Sequence, residues 1–140
     1  MGVIVVDASV VVKWYVAEEH SPVAVTLLEP GHELHAPDFL LIEMDNVLCT
    51  WLRGRGIDHA KADIIRTALR AAPVDIHPSL PLLDPAYRIA TDTGISVYDA
   101  LYVALAELLG GKLVTADAKL KRSLARSPFA KTVVWIEHLA

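Results

Sequence analysis

Residues 97–109 constrain this chain more than any other stretch, because almost every side chain there is apolar and Asp99 and Glu107 are the only charges. A helix that is hydrophobic all round has no face to give to water. It must be buried on most sides, so the 140 residues have to wrap other elements around it. Gly110 and Gly111 end it, glycine being the residue that most easily turns left-handed after a helix. Short apolar runs of strand character lie at residues 3–6, 33–36, 74–77, 113–115 and 132–136. The uninterrupted run at 3–6 suits a strand covered on both faces of a parallel sheet.

Helices separate these strands. Ser21 and Pro22 read as the N-cap and first residue of a helix closing near Glu29, and Asp38 as the cap of a long helix through Arg53. Asp58 caps another to about Ala72, Pro81 or Pro85 opens one that Gly94 stops, and residues 118–125 form the last. Strands alternating with helices predict the α/β class, a sandwich around a central, mainly parallel sheet. With no linker, repeat or biased tract, residues 1–140 read as a single domain.

Hydrophobic residues make up 54% of the chain and charged residues 21%, which excludes disorder and leaves more apolar surface than a small core absorbs. An interface with a second copy or a partner is expected. The net charge of −4 does not announce a nucleic-acid binder, but its distribution is uneven. Lys112, Lys119, Lys121, Arg122, Arg126 and Lys131 face only Asp117 within residues 112–131, a basic segment where a polyanion can dock. The single cysteine, Cys49, rules out an internal disulfide framework and fits a reducing compartment; it reads as a core or rim thiol. No apolar run reaches the roughly 18 residues of a membrane span. The opening MGVIVVDAS has no signal-peptide features and no myristoylation Ser or Thr. A cytoplasmic protein away from membranes is expected.

Four acids need an explanation. Asp7 and Asp117 follow strand runs, and ligands of open α/β sheets collect beyond the C-terminal strand ends. Glu43 lies in the apolar stretch 39–44 and Asp99 opens the apolar helix. Burying an unpaired carboxylate is costly, and hard oxygen ligands from separate segments suit Mg²⁺ or Mn²⁺. Bland readings stand beside this one: Asp7, Asp117 and Ser9 as helix caps, and Ser96 with Asp99 as a capping box. Glu43, Asn46 and Thr50 form a polar stripe at helical spacing, with Asn46 placed to support the carboxylates. Asp45 points the other way, to solvent or a salt bridge. Asp7-Ala8-Ser9 is echoed by Thr115-Ala116-Asp117, small hydroxyls that can orient carboxylates or bind phosphate. The six histidines are scattered and read as ordinary polar residues, and no P-loop, GxSxG or HExxH motif occurs.

The segments VVDASVVVKWYV, HAPDFLLIEMDNVL, ISVYDALYVALAE and KLVTADAKL carry these acids in order along essentially the whole chain. Together they resemble the PIN-domain nucleases, specifically VapC-type toxins of toxin–antitoxin pairs. The resemblance implies a PIN-like three-layer α/β/α sandwich and a ribonuclease using Mg²⁺ or Mn²⁺. It also implies Asp7, Glu43, Asp99 and Asp117 as catalytic metal ligands and Ser9 and Thr115 as supporting hydroxyls. A cognate VapB-type antitoxin as inhibitor and a homodimer follow in the same way. Asp45 departs from a small apolar residue in relatives, and Lys119 stands where some carry a further acid, which bears on whether one ion or two is held.

Without the four acids, 13 acidic residues face 13 basic ones, so the net −4 equals the charge of the site. Hydrolysis at such a site leaves a 5′-phosphate and a 3′-hydroxyl, and Lys112, Lys119, Lys121 and Arg122, helped by Arg53 or Arg55, can hold flanking phosphates of an RNA substrate. A receiver-like phosphoacceptor wants adjacent acids after the first strand, and a haloacid dehalogenase-type phosphatase wants Asp-x-Asp there; Asp7-Ala8-Ser9 supplies neither. A non-catalytic PIN-like binding module has no need of the full acidic set.

Overall fold

A computed structural model describes residues 2–54 and 56–139. Five parallel strands, β1 (Gly2–Val6), β2 (His32–Pro37), β3 (Val74–His77), β4 (Lys112–Thr115) and β5 (Val133–Trp135), form one sheet in the order β3-β2-β1-β4-β5. The helices are α1 (Ala8–Val11), α2 (Ser21–Thr26), α3 (Phe39–Gly54), α4 (His59–Ala71), α5 (Leu83–Thr93), α6 (Val97–Leu109) and α7 (Ala118–Leu124). They flank the sheet as an α/β/α sandwich. The strand order reverses at β1, between β2 and β4, the kind of switch point where α/β folds open a crevice at the C-terminal strand ends.

The apolar helix behaves as its sequence demands. α6 packs against β1, β2 and β4, with α5 against it, and residues 100–106 are buried without a break. Gly110 ends it at φ +64°. Gly111 has a different reason to be glycine: a Cβ there would sit 2.5 Å from the Val3 carbonyl oxygen and 2.7 Å from Val3 Cγ1. That close approach lets the chain drop from α6 straight into β4 beside β1.

Several local expectations change. The N-cap of α2 is His20, at φ +68°, while Ser21 Oγ accepts from the Glu18 N–H and donates to the Val16 carbonyl; the helix ends at Thr26 rather than near Glu29. Asp38 does not cap α3 with its side chain. Its Oδ1 accepts from Ser79 N and Ser79 Oγ, and Ser79 Oγ in turn accepts from Phe39 N, so the cap comes from beyond β3. Asp58 caps α4 through Lys61 N as expected. Cys49 is exposed rather than in a core or rim. Ile42, Ile64, Leu80, Tyr87, Tyr98 and Leu108 remain exposed, the apolar surplus that the composition foresaw. Among the described residues no helix is long and apolar enough to cross a membrane.

Candidate active site

β1 and β4 are neighbours, and the residues after their ends meet across the switch point. Asp7 is 7% exposed. Its Oδ1 accepts from Ser9 Oγ at 2.5 Å and Val10 N at 3.3 Å, and its Oδ2 from Thr115 Oγ1 at 2.6 Å. Both hydroxyl protons are thereby committed to one carboxylate, so the 3.4 Å approach of Ser9 Oγ to Thr115 Oγ1 is a contact rather than a further bond. The hydroxyl oxygens accept backbone donors in their turn, Ser9 from Ala116 N at 3.0 Å and Thr115 from Asp117 N at 3.1 Å. This lattice ties the two echoed motifs together and fixes the chain on which Asp117 sits.

The capping reading of these acids is realised. Asp7 caps α1 through Val10, Asp117 Oδ1 caps α7 through Leu120 N at 3.1 Å, and Ser96 Oγ caps α6 through Asp99 N at 3.1 Å. Capping engages one oxygen of Asp117, and the other accepts no hydrogen bond among the described residues. Glu43, in the second turn of α3, accepts a very short hydrogen bond at Oε1 from the Tyr102 hydroxyl.

The electrostatics reveal how close together these groups act. Burial raises the Asp7 carboxyl to about 6, against the pull of Ser9, Thr115 and Val10 and with a further push from Asp99. Glu43 is raised, by burial first and then by Asp7, Asp99 and Asp117, with Tyr102 opposing. Asp99 is raised by burial and by Asp117, with Ser96 and Lys119 opposing. Asp7, Glu43 and Asp99 are thus raised by burial first, and charge on neighbouring acids, Asp117 among them, adds to it.

Tyr102 went unnoticed in the sequence. It is 1% exposed, and burial together with Glu43 raises its phenol far above the ordinary value, so it is a neutral donor at any working pH. The signal was available: a buried tyrosine needs a partner for its hydroxyl, and position 102 lies one turn after Asp99, on the same side of α6.

Two clefts flank the acids. One of ≈ 260 Å³ is lined by Ser96, Asp99, Asp117, Lys119 and Ser123 among others. A groove of ≈ 440 Å³ is lined by Phe39, Ile42, Glu43, Asn46, Val47 and Tyr98, with the Phe39 and Tyr98 rings stacked at 5.1 Å and 10°. Asn46 is exposed in this groove and makes no hydrogen bond to a carboxylate among the described residues. Thr50 Oγ1 donates to the Asn46 carbonyl. Asp45 pairs with Arg66 at 2.8 and 3.1 Å, as its position predicted. Of the basic residues, Lys119 reaches the acid cleft and Arg122 lies exposed one turn later on α7. Lys112 and Lys121 are turned elsewhere: Lys112 Nζ donates to the Lys131 carbonyl, and Lys121 Nζ to the carbonyls of Ala130 and Val133. They hold the approach to β5 and are not placed at the acids. Arg55 lies outside the described residues.

Thr115→Val tests the lattice directly. It removes the donor to Asp7 and the acceptor for Asp117 N in a fully buried position, and a loss of about 1–3 kcal/mol is expected in urea melts. An unchanged midpoint would show that the hydroxyl is dispensable.

Residues 4–123 match the PIN domain family. The chain belongs to that family. A Pyrobaculum aerophilum protein named Ribonuclease VapC3 is 38% identical over 120 residues, 84% of this chain and 91% of the relative. Among solved structures, PAE2754 from Pyrobaculum aerophilum is similar with a TM-score of 0.70 and 27% identity, over 97% of this chain and 85% of that one. The chain in a toxin–antitoxin complex from Klebsiella pneumoniae shares the fold at a TM-score of 0.64, with 17% identity over 94% and 95% of the two chains. The PIN fold and the acid-lined switch point thus come together in one molecule.

Proposed function

We propose that this PIN-domain chain is a divalent-metal-dependent endoribonuclease and the toxin of a toxin–antitoxin pair, with Asp7, Glu43, Asp99 and Asp117 as metal ligands and catalytic set. The convergence of these acids carries this reading: Thr115 bonds Asp7 and takes the Asp117 N–H, Asp99 and Asp117 line one cleft, and burial with neighbouring acids raises Asp7, Glu43 and Asp99. Such an arrangement is unfavourable for the protein alone and favourable once a cation sits among the charges. All the donors are oxygens, which fits Mg²⁺ or Mn²⁺ better than a thiophilic or imidazole-seeking metal. A bound ion of this kind supplies Lewis-acid stabilisation of a phosphate under attack and an acidic water as nucleophile.

The chain's own residues do the positioning. Ser9, Thr115 and the Val10 N–H hold Asp7 at both oxygens. Tyr102 restrains Glu43 without adding charge. Lys119 and Arg122 offer positive charge to the flanking phosphates, and the stacked Phe39 and Tyr98 rings give an unpaired base a face to lie on. The fold shared with the Klebsiella complex and the exposed Ile42 and Tyr98 beside the acids support a cognate antitoxin covering this groove. Ile64, Leu80, Tyr87 and Leu108 offer apolar surface for a homodimer, acting in the cytoplasm where RNA is found.

The test is cleavage of structured RNA by the antitoxin-free protein in Mg²⁺ or Mn²⁺ and in EDTA. Cuts at unpaired nucleotides, leaving 5′-phosphates and stopping in EDTA, are expected; no cleavage, or cleavage undiminished by EDTA, would overturn the proposal. Tyr102→Phe adds a finer check. Losing the hydroxyl removes the interaction that favours ionised Glu43, so its pKa rises further. The acidic limb of the pH–rate profile should move to higher pH, with a rate loss of about 10–100-fold, the scale of an outer-shell partner. An unmoved profile would show that Tyr102 merely packs.

A further inference from the structure

Away from the acids, β2 and β3 carry a second cluster of polar groups. Glu33 and His35 are two apart on β2, Asp75 and His77 two apart on β3, and the parallel register sets His35 against Asp75 and Pro37 against His77. Side chains alternate with period two along a strand, so all four share one face of the sheet. His35 is buried, its side chain 7% exposed. Its Nε2 lies 2.7 Å from Glu33 Oε1, and its Nδ1 lies 2.8 Å from His77 Nε2 and 3.9 Å from Asp75 Oδ2. Donor atoms of Glu33, His35 and Asp75 fall within 4.8 Å of one another.

We infer that these residues form a second cation site, for a borderline transition metal of the Zn²⁺ type. His35 Nδ1, His77 Nε2 and an Asp75 oxygen are the ligands, and Glu33 is the carboxylate that orients His35. The tautomers agree with this. Glu33 accepts the His35 Nε2–H, which leaves the Nδ1 lone pair facing His77 and Asp75; a proton shift within His77 from Nε2 to Nδ1 then frees the second lone pair. The spacing needs a small adjustment. Bonds of about 2.0–2.1 Å in a tetrahedral site put ligand atoms about 3.3 Å apart, so on binding the His77 ring swings back from its 2.8 Å hydrogen bond to His35 and Asp75 closes in from 3.9 Å. A carboxylate on the remote N–H of a metal-bound histidine is the usual outer partner, and imidazole nitrogens select Zn²⁺, Co²⁺ or Ni²⁺ over Mg²⁺. The ion would tie edge strand β3 to β2 beside the point where Asp38 N donates to the His77 carbonyl at 2.7 Å, the start of α3. The other mixed cluster, Glu19, His20 and Glu137, has one imidazole and two exposed acids and carries no such case.

The site does not depend on the ribonuclease proposal, and its test reads metal rather than activity. Co²⁺ is titrated into metal-free protein in excess Mg²⁺, with visible absorption and equilibrium dialysis as readouts. One equivalent with the intense bands of a tetrahedral complex is expected, displaced by Zn²⁺ and retained by Asp99→Asn. His77→Gln and Asp75→Asn should each weaken binding at least tenfold. Asp75, with its side chain 75% exposed, decides the matter should His77→Gln fail to fold. No tetrahedral Co²⁺ equivalent in the parent, or equal binding by folded Asp75→Asn, would overturn the site and leave a hydrogen-bonded clamp between two strands.

Discussion

Asp7→Asn is expected to lose metal-dependent RNA cleavage by at least ~100-fold, more than the ~10–100-fold of an outer-shell partner, while keeping its fold. The amide has the shape of the carboxylate, and its neighbours can adapt. Ser9 and Thr115 carry hydroxyls that donate or accept, and the Val10 N–H can bond the amide oxygen. What disappears is the anionic ligand. The charge is also a burden on the metal-free protein, since a carboxyl moved from 3.8 to about 6 opposes folding at neutral pH by about 3 kcal/mol. The variant should therefore be inactive and, in EDTA, no less stable than the parent. Circular dichroism, urea melts and the RNA assay on one preparation check this, and full cleavage by the folded variant would remove Asp7 from the site.

Asp99→Asn separates a metal ligand from a helix cap by its response to metal and to pH. In EDTA the variant should melt at or above the parent's temperature, because one of the mutually repelling charges is gone. In excess Mg²⁺ or Mn²⁺ the order should reverse. An ion at about a hundred times its dissociation constant adds roughly 2.7 kcal/mol, and the parent alone holds the full ligand set. The pH dependence has a definite sign. A carboxyl raised on folding gives stability that is fully present below its unfolded pKa and is lost as pH rises through the folded one. Asp7, at about 6 against 3.8, and Asp99 and Glu43, both raised, all act in this direction. The advantage of Asp99→Asn in EDTA should vanish near pH 4 and grow toward pH 7. Ser96, whose hydroxyl takes the Asp99 N–H, keeps the cap in both proteins. A loss of about 1 kcal/mol with or without metal would assign Asp99 to capping alone.

Where a residue's structure follows from its neighbours in the chain, the sequence announced it. The α6 boundaries follow from its unbroken apolar run and Gly110, the α4 start from Asp58, and the acids at β1 and β4 from the strand runs before them. The misreadings fall where the deciding partner is remote. Asp38 looked like a cap, but Ser79, brought beside it by the β2–β3 pairing, takes both its carboxylate and the Phe39 N–H. Lys121 looked like a phosphate ligand, but Ala130 before β5 and Val133 at its start offer its ammonium two carbonyls. Tyr102 was hidden inside the apolar run that gave α6 away. His35 and His77, 42 residues apart, become neighbours only through strand register, which no local pattern encodes.

Anomalous diffraction from crystals grown with Mn²⁺ bears most directly on the acids as a metal centre. A Mn²⁺ peak is expected bonded to Asp7, Asp99 or Asp117 with Glu43 alongside, weakened or absent in Asp99→Asn crystals under the same conditions. A fully loaded parent with no peak among these carboxylates, or an undiminished peak in Asp99→Asn, would contradict it.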